Sequence, residues 1–286
     1  MEIIGEKING TRAEVAAAIE TRDTAFIRGL ARGQVEAGAT SIDVNAGTSR
    51  GRTHEPEDLA WLVQTVQEAV EVPLCLDSPN PDALRAALSL TRTTPLINSI
   101  SGEGQRLEGI LPLVAEHGAP VIALAADDSG ISKEADVRVE VVTRVLQATR
   151  AAGVADSRVY VDPLVMPLAG FAESGAVTLE TMRRVRAAFP EVKLAVGLSN
   201  LSFALPARSL INRVFLTLAL ATGLDAALVD PQDPDLMQEL VAAELVLGRD
   251  RFCRRYTVAY REGRYGFPSR VESAARRRPI SPSDRD

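Results

Sequence analysis

Short runs of apolar and β-branched residues alternate along the chain with longer stretches in which apolar positions recur every three or four residues. The short runs predict strands over 3–6, 41–45, 73–77, 96–98, 121–125, 159–162, 193–196 and 227–230. Between them, AFIRGLARGQVEAGA, PEDLAWLVQTVQEAV, RVEVVTRVLQATRAAG and LETMRRVRAAF set Glu and Arg opposite an apolar face and predict amphipathic helices. Gly or Pro commonly punctuates the helix ends. The stretch VFLTLALATGL reads as a buried helix, because it is too short to span a bilayer and is broken by threonines.

Eight strand candidates, each followed by a helix, predict an α/β fold of the (β/α)₈ TIM-barrel kind. An open doubly wound sheet is the rival, but its phosphate turn is missing: the first turn reads GEKING, without GxGxxG spacing. The chain has 286 residues, close to a barrel of about 250 residues plus a tail. The barrel is expected over 1–261. Residues 262–286 are charged, contain Pro and Ser and are poor in aliphatics, so a flexible tail is expected there, with ARRRP as a solvated cluster within it.

Net charge is −6 and no basic stripe interleaves with aromatics, which argues against a nucleic-acid partner. No basic stretch followed by an apolar segment opens the sequence, so neither a signal peptide nor a membrane anchor is expected. Cys75 and Cys253 are the only cysteines, consistent with a reduced, cytoplasmic setting. With His54 and His117 they give no zinc spacing, and no tightly bound metal is expected.

The apolar runs end in carboxylates and carboxamides. Glu6 and Asn9, Asp43 and Asn45, Asp77, Asn98, Asp127 and Asp128, Asp162, Ser199 and Asn200, and Asp230 stand where each strand stops. Any one of them taken alone is better read as a helix cap or a solvated turn. Together they fall on the face of a barrel where active sites are built. Such a mouth is rich in acceptors and poor in fixed cations, so it suits a flat heterocycle with several N–H donors. A 2-amino-4-oxo-pteridine or a purine presents an exocyclic amine beside a ring N–H, a fork that one carboxylate accepts through both oxygens. Asn98 donates and accepts, and suits a ring edge where the two alternate.

At these residues the sequence resembles a known group. IIGEKING, SIDVNAG, LCLDSPN, LINSISGE, YVDPLVMP, GLSNLSF and LINRVFLTLALATGLDAAL run in order through residues 1–260 and look like the methyltetrahydrofolate:corrinoid methyltransferases. These belong to the pterin-binding TIM-barrel superfamily, which also contains dihydropteroate synthase. The resemblance implies movement of the N5-methyl group between methyltetrahydrofolate and the cobalt of a corrinoid. The cobalamin would be carried by a separate corrinoid-binding protein that docks transiently at the barrel mouth, since no Asp-x-His-x-x-Gly corrinoid signature occurs here. It further implies that Asp77, Asn98 and Asp162 hold the pterin, that Asn200 faces N5, and that Ser199 and Arg208 lie beside the substrate. Glu6, Asn9, Asp43 and Asn45 complete the rim, and a homodimer is expected.

Phe203 departs from the pattern. The chain has SNLSFA where Wood–Ljungdahl members of the family usually have SNVSQN. The change fits a stacked ring, the loss of one hydrogen bond, or a subfamily serving another methyl pathway such as corrinoid-dependent O-demethylation. Dihydropteroate synthase itself fits poorly: its GLSRKSF is here GLSNLSF, and its late Arg-x-His motif is absent. A non-catalytic folate-binding protein is the rival of a different class.

Overall fold

The computed structural model describes residues 1–47, 51 and 53–266. Its strands are β1 (Glu2–Asn9), β2 (Ser41–Asn45), β3 (Leu74–Asp77), β4 (Leu96–Gly102), β5 (Val121–Asp127), β6 (Val159–Asp162), β7 (Lys193–Gly197) and β8 (Ala226–Val229). They lie parallel, in chain order, and close into a barrel as β8 pairs with β1. The helices are α1 (Ala13–Thr21), α2 (Thr24–Glu36), α3 (Glu55–Gln67), α4 (Pro81–Leu88), α5 (Gly104–His117), α6 (Ala135–Ala151), α7 (Ser174–Ala188), α8 (Arg208–Ala221), α9 (Pro234–Val246) and α10 (Arg254–Arg261). Among the described residues, no helix is long and apolar enough to cross a membrane.

The patterns that predicted the helices also bury them. α3 buries Leu59, Leu62, Val63 and Val66, the three- and four-residue spacing of one face. Caps fix several starts: the side chain of Asp23 accepts from the Phe26 amide, and that of Asn80 from the Asp82 amide, with Pro81 behind it. The barrel interior is filled by Ile4, Cys75, Leu96, Ile122, Tyr160, Ala195 and Ala226, with Leu124 and Leu228 packed against them. Its floor is polar and closed. Lys193 Nζ donates to Tyr160 Oη at 2.7 Å and to Glu2 at 2.9 Å, and the Tyr160 hydroxyl donates to Glu2 at 2.8 Å.

The structure departs from the sequence pattern in three places. β1 continues three residues past Glu6, because its ladder with β2 shifts between Gly5 and Ile8 and breaks the alternation. Lys7 there donates to Gln232 at 2.9 Å and pairs with Asp230 at 3.1 Å. β4 likewise runs on to Gly102, with a register shift between Asn98 and Ile100 and a cis Asn98–Ser99 peptide. The expected buried helix is not buried all round. α8 covers Phe215, Leu216, Ala219 and Leu220, while Leu210, Val214 and Leu218 are 56%, 54% and 48% exposed. A run this apolar does not reveal which flank faces the barrel.

The chain divides into two compact units, Met1–Gln232 and Asp233–Asp286. The first holds all eight strands. In the second, Arg255 Nη1 pairs with Glu244 at 2.5 Å, and the Asp250 carboxylate accepts from the Arg255 and Tyr256 amides at the start of α10. The tail expected over 262–286 lies, from residue 267 onward, outside the described residues.

Candidate active site

Residues i and i+2 of a strand share a face, so the period that fills the barrel also furnishes its mouth. Glu6 follows Ile4, Asp77 follows Cys75, Asn98 follows Leu96, Asp162 follows Tyr160, and Asp230 follows Leu228, each one step above a core residue. Two close approaches draw the rim together. Gly10 donates its amide to Asn45 O, and a Cβ on Gly10 would lie 2.1 Å from Ala46 O, so only glycine fits there.

On one side, β3 and β4 set Asp77 opposite Asn98. Asn45 Nδ2 donates to Asp77 at 2.8 Å while its Oδ1 accepts from the Gly47 amide at 2.7 Å. Asn98 Nδ2 lies 3.4 Å from Asp43 Oδ1. Asp43 is buried, with the Cys75 thiol also within reach. Burial, then the neighbouring Asp77 charge, pushes Asp43 well above the carboxylate range, and burial raises Asp77 as well. The Asn45 donor and the opposing charge of Arg106 hold Asp77 down against that burial, so Asp43 is the more strongly raised of the two.

Across the mouth, Asp162 Oδ1 accepts from the Leu164 amide at 2.8 Å. Burial pushes its carboxyl up to about 6, against that hydrogen bond and the Arg138 charge. Arg138 is a residue the sequence reading missed. It is fully buried, and it donates from Nε to Ser132 O at 2.7 Å and from Nη1 to Pro163 O at 2.8 Å and Leu164 O at 2.6 Å. It thereby holds the turn after β6, in which Leu164 has a left-handed φ of 65°. The spacing held a signal: Arg138 stands three, four and seven residues before the buried Val141, Val142 and Val145, on the apolar face of α6. Arg138→Met should lower unfolding free energy by about 3 kcal/mol, because buried carbonyls lose their donors. Urea denaturation measures it.

Glu55 is a second omission. Its carboxylate accepts from the Ser78 hydroxyl at 2.5 Å and from Asn80 Nδ2 at 3.2 Å, bracing the turn that follows Asp77.

The third sector is the 3₁₀ turn Leu198–Asn200 after β7. Ser199 Oγ donates to Glu6 Oε2 at 3.3 Å. Burial pushes Glu6 up to about 7; the Ser199 bond lowers it, Asp230 raises it, and Arg12 and Arg208 lower it. Gly197 leaves space for the Asn200 amide, since a Cβ there would lie 2.9 Å from Asn200 Nδ2. Arg208 opens α8 and clamps this turn, donating to Ser199 O at 2.8 Å and to Ser202 Oγ at 3.0 Å. Its contacts are with the turn that carries Asn200. Phe203 is 60% exposed, and its amide donates to Asn200 O at 3.2 Å.

Other strand-end residues serve their own turns. Asn9 Oδ1 accepts from the Thr11 amide and hydroxyl. Asp127 accepts from Ser129 and Arg144, and the Ser129 bonds hold its carboxyl below the usual range. Asp128 accepts from the Gly104 amide. Among the described residues, no cluster of three or more His, Cys, Asp or Glu could hold a metal ion.

The mouth therefore presents acceptors at Asp77 and Asp162, a mixed donor–acceptor at Asn98, and an amide at Asn200. The profile of the family described as "Pterin binding enzyme" matches residues 5–230, from β1 to the end of the mouth sequence. The chain belongs to the pterin-binding enzyme family. Within that family, a methylcorrinoid:tetrahydrofolate methyltransferase of Eubacterium limosum is 41% identical over 268 residues, spanning 93% of this chain and 98% of the relative. A methionine synthase of Mycobacterium tuberculosis is 32% identical over 240 residues, covering 79% of this chain but 20% of that protein. A Yersinia pestis dihydropteroate synthase solved in a sulfonamide complex shares the barrel fold, with a TM-score of 0.67 over 87% of this chain and 94% of its own, at 18% identity. That last likeness is one of fold.

Proposed function

We propose that this chain is a methyltransferase that moves a methyl group between the cobalt of a corrinoid held by a separate protein and N5 of tetrahydrofolate. The observation that carries the reading is the end-to-end likeness to the Eubacterium limosum enzyme, whose name describes the same transfer toward tetrahydrofolate. The mouth supports it from the residues upward. Asp162 accepts the amine and ring N–H fork of the pterin, Asn98 meets the alternating edge, and Asp77, fixed by Asn45, supplies a further acceptor.

Asn200 faces N5 in this reading. An amide is neither acid nor base near neutral pH, so it works by orientation: its NH₂ donates to the neutral amine and its carbonyl accepts from the protonated one. The corrinoid is substrate here, brought by its carrier protein to the open rim. The direction toward tetrahydrofolate also accommodates Phe203, as a subfamily difference between chains that take methyl from corrinoids and chains that supply it.

The test is spectroscopic. Under anaerobic conditions, the protein mixed with tetrahydrofolate and methylcob(III)alamin should convert the methylcobalamin spectrum to that of cob(I)alamin, with 5-methyltetrahydrofolate as product. Pterin binding without any spectral change would favour a non-catalytic folate-binding protein instead.

We also propose a homodimer that pairs through the exposed flank of α8. Leu210, Val214 and Leu218 recur every four residues and form one apolar row. Val214→Glu should halve the sedimenting mass of the parent dimer while leaving thermal stability within about 0.5 kcal/mol, as expected for an exposed site. Two free thiols, Cys75 buried and Cys253 exposed, support a reducing, cytoplasmic setting.

A further inference from the structure

Methylation of tetrahydrofolate leaves a proton at N5 with nowhere to go on Asn200. The other carboxylates of the mouth are already engaged. Asp77 accepts from Asn45 and faces Arg106, Asp162 accepts from the Leu164 amide and faces Arg138, and Asp230 pairs with Lys7. Asp43 is buried against Asn98 and Cys75. Glu6 differs. Its Oε2 accepts from the hydroxyl of Ser199, the residue before Asn200, and its Oε1 has no hydrogen-bond partner among the described residues. The Arg208 clamp on Ser199 O holds that hydroxyl's residue in place.

We propose that Glu6 is the proton acceptor of this reaction, reached from N5 through the Ser199 hydroxyl. The assignment rests on the methyltransferase reading above and adds the proton's route to it. As the N5 lone pair forms the new N–C bond, the methyl–cobalt bond breaks and its electron pair stays on cobalt, which passes from the +3 to the +1 state. N5 is then a tertiary ammonium. Its proton moves to Ser199 Oγ as the Ser199 proton moves to Glu6 Oε2. The products are 5-methyltetrahydrofolate, the reduced corrinoid and a neutral Glu6, which returns its proton to water at the open rim. In the opposite direction the neutral Glu6 supplies the proton that makes N5 a leaving group.

The surroundings suit the task. Glu6 is flanked by Asp230 from the end of β8, by Asp43 from β2, by Arg12 from the turn before α1 and by Arg208 from α8. Burial and the Asp230 charge favour its neutral form, and the Ser199 hydroxyl and the two guanidiniums favour its charged one. Their balance near 7 lets one group both take up and release a proton at neutral pH.

Single-turnover stopped-flow measurements with free cobalamin as the probe test this across about pH 5.5 to 8.5, in both directions. For the parent protein, methylation of tetrahydrofolate should rise with pH through about 7 and demethylation of 5-methyltetrahydrofolate should fall through the same value. Glu6→Gln should abolish both limbs and slow methylation at the upper end by about 10²–10³-fold, with tetrahydrofolate affinity within about threefold of the parent. Ser199→Ala should flatten the same limbs, and it keeps the test sound if the first variant does not fold. Parent-like limbs in either variant overturn the route through Glu6. A parent protein that binds tetrahydrofolate but transfers no methyl overturns the underlying reading, a separate result seen before any variant is made.

Discussion

Replacing Asn200 by alanine should lower the rate of methyl transfer by about 10²–10³ while tetrahydrofolate affinity changes by less than about tenfold. The reason lies in when the amide matters. In the proposed reaction N5 starts as a neutral amine, weakly bonded to the Asn200 NH₂. In the transition state it carries positive charge, and the amide carbonyl can turn to meet it. The interaction strengthens as the reaction proceeds, so losing it raises the barrel's barrier more than it loosens its grip. The position is prepared for such a turn: Gly197 gives the amide space, and Arg208 holds the backbone beneath it through Ser199 O and Ser202 Oγ. Rapid-mixing rates and equilibrium titration on the same variant separate the two quantities. A parent-like rate would remove Asn200 from the chemistry.

Asp162→Asn should do two opposite things. Pterin binding should weaken by about 2–3 kcal/mol, because in the proposed contact the fork would lose a charged acceptor and meet an NH₂ in place of one oxygen. The unliganded protein should become more stable at neutral pH. Burial holds the Asp162 carboxyl protonated up to about 6, whereas the unfolded chain releases that proton near 3.8. The folded state thus binds more protons between those values, and stability falls as pH rises through the window. Above it the deficit is full, about 3 kcal/mol for a shift of this size. The asparagine carries no charge to bury, and its oxygen can still accept from the Leu164 amide. Thermal unfolding near pH 5 and near pH 8 should therefore show a drop for the parent that the variant lacks. A variant no more stable than the parent at the higher pH would mean that Asp162 is better solvated than its burial indicates.

The barrel was legible in the sequence because its strands are buried on both faces and stop at a polar residue. The polar residues that interrupt those runs, Asp77, Asn98, Asp162 and Glu6, are also the ones that share the interior face with Cys75, Leu96, Tyr160 and Ile4. Function in a turn could not be told from turn-building by residue type. Asn9 and Asp127 have the same chemistry as Asn98 and Asp162, yet their oxygens are spent on Thr11 and Ser129. Arg138 and Glu55 were missed for a related reason. A charged residue in a helical stretch reads as its wet face, and burial of the guanidinium depends on carbonyls 25 and 26 residues away in the turn after β6. The outward row of α8 was hidden because apolar density alone does not distinguish a helix packed on every side from one waiting for a companion.

The floor closed by Tyr160, Glu2 and Lys193, under an interior packed with side chains, leaves the pterin a single doorway. In the proposed reaction the corrinoid carrier would come to that same doorway, as by far the bulkier visitor. Arrival would then be compulsory in order: the pterin would enter first, the carrier would close over it, and after transfer the carrier would have to leave before methylated pterin could escape. An excess of carrier would then trap product inside and slow the very turnover it feeds.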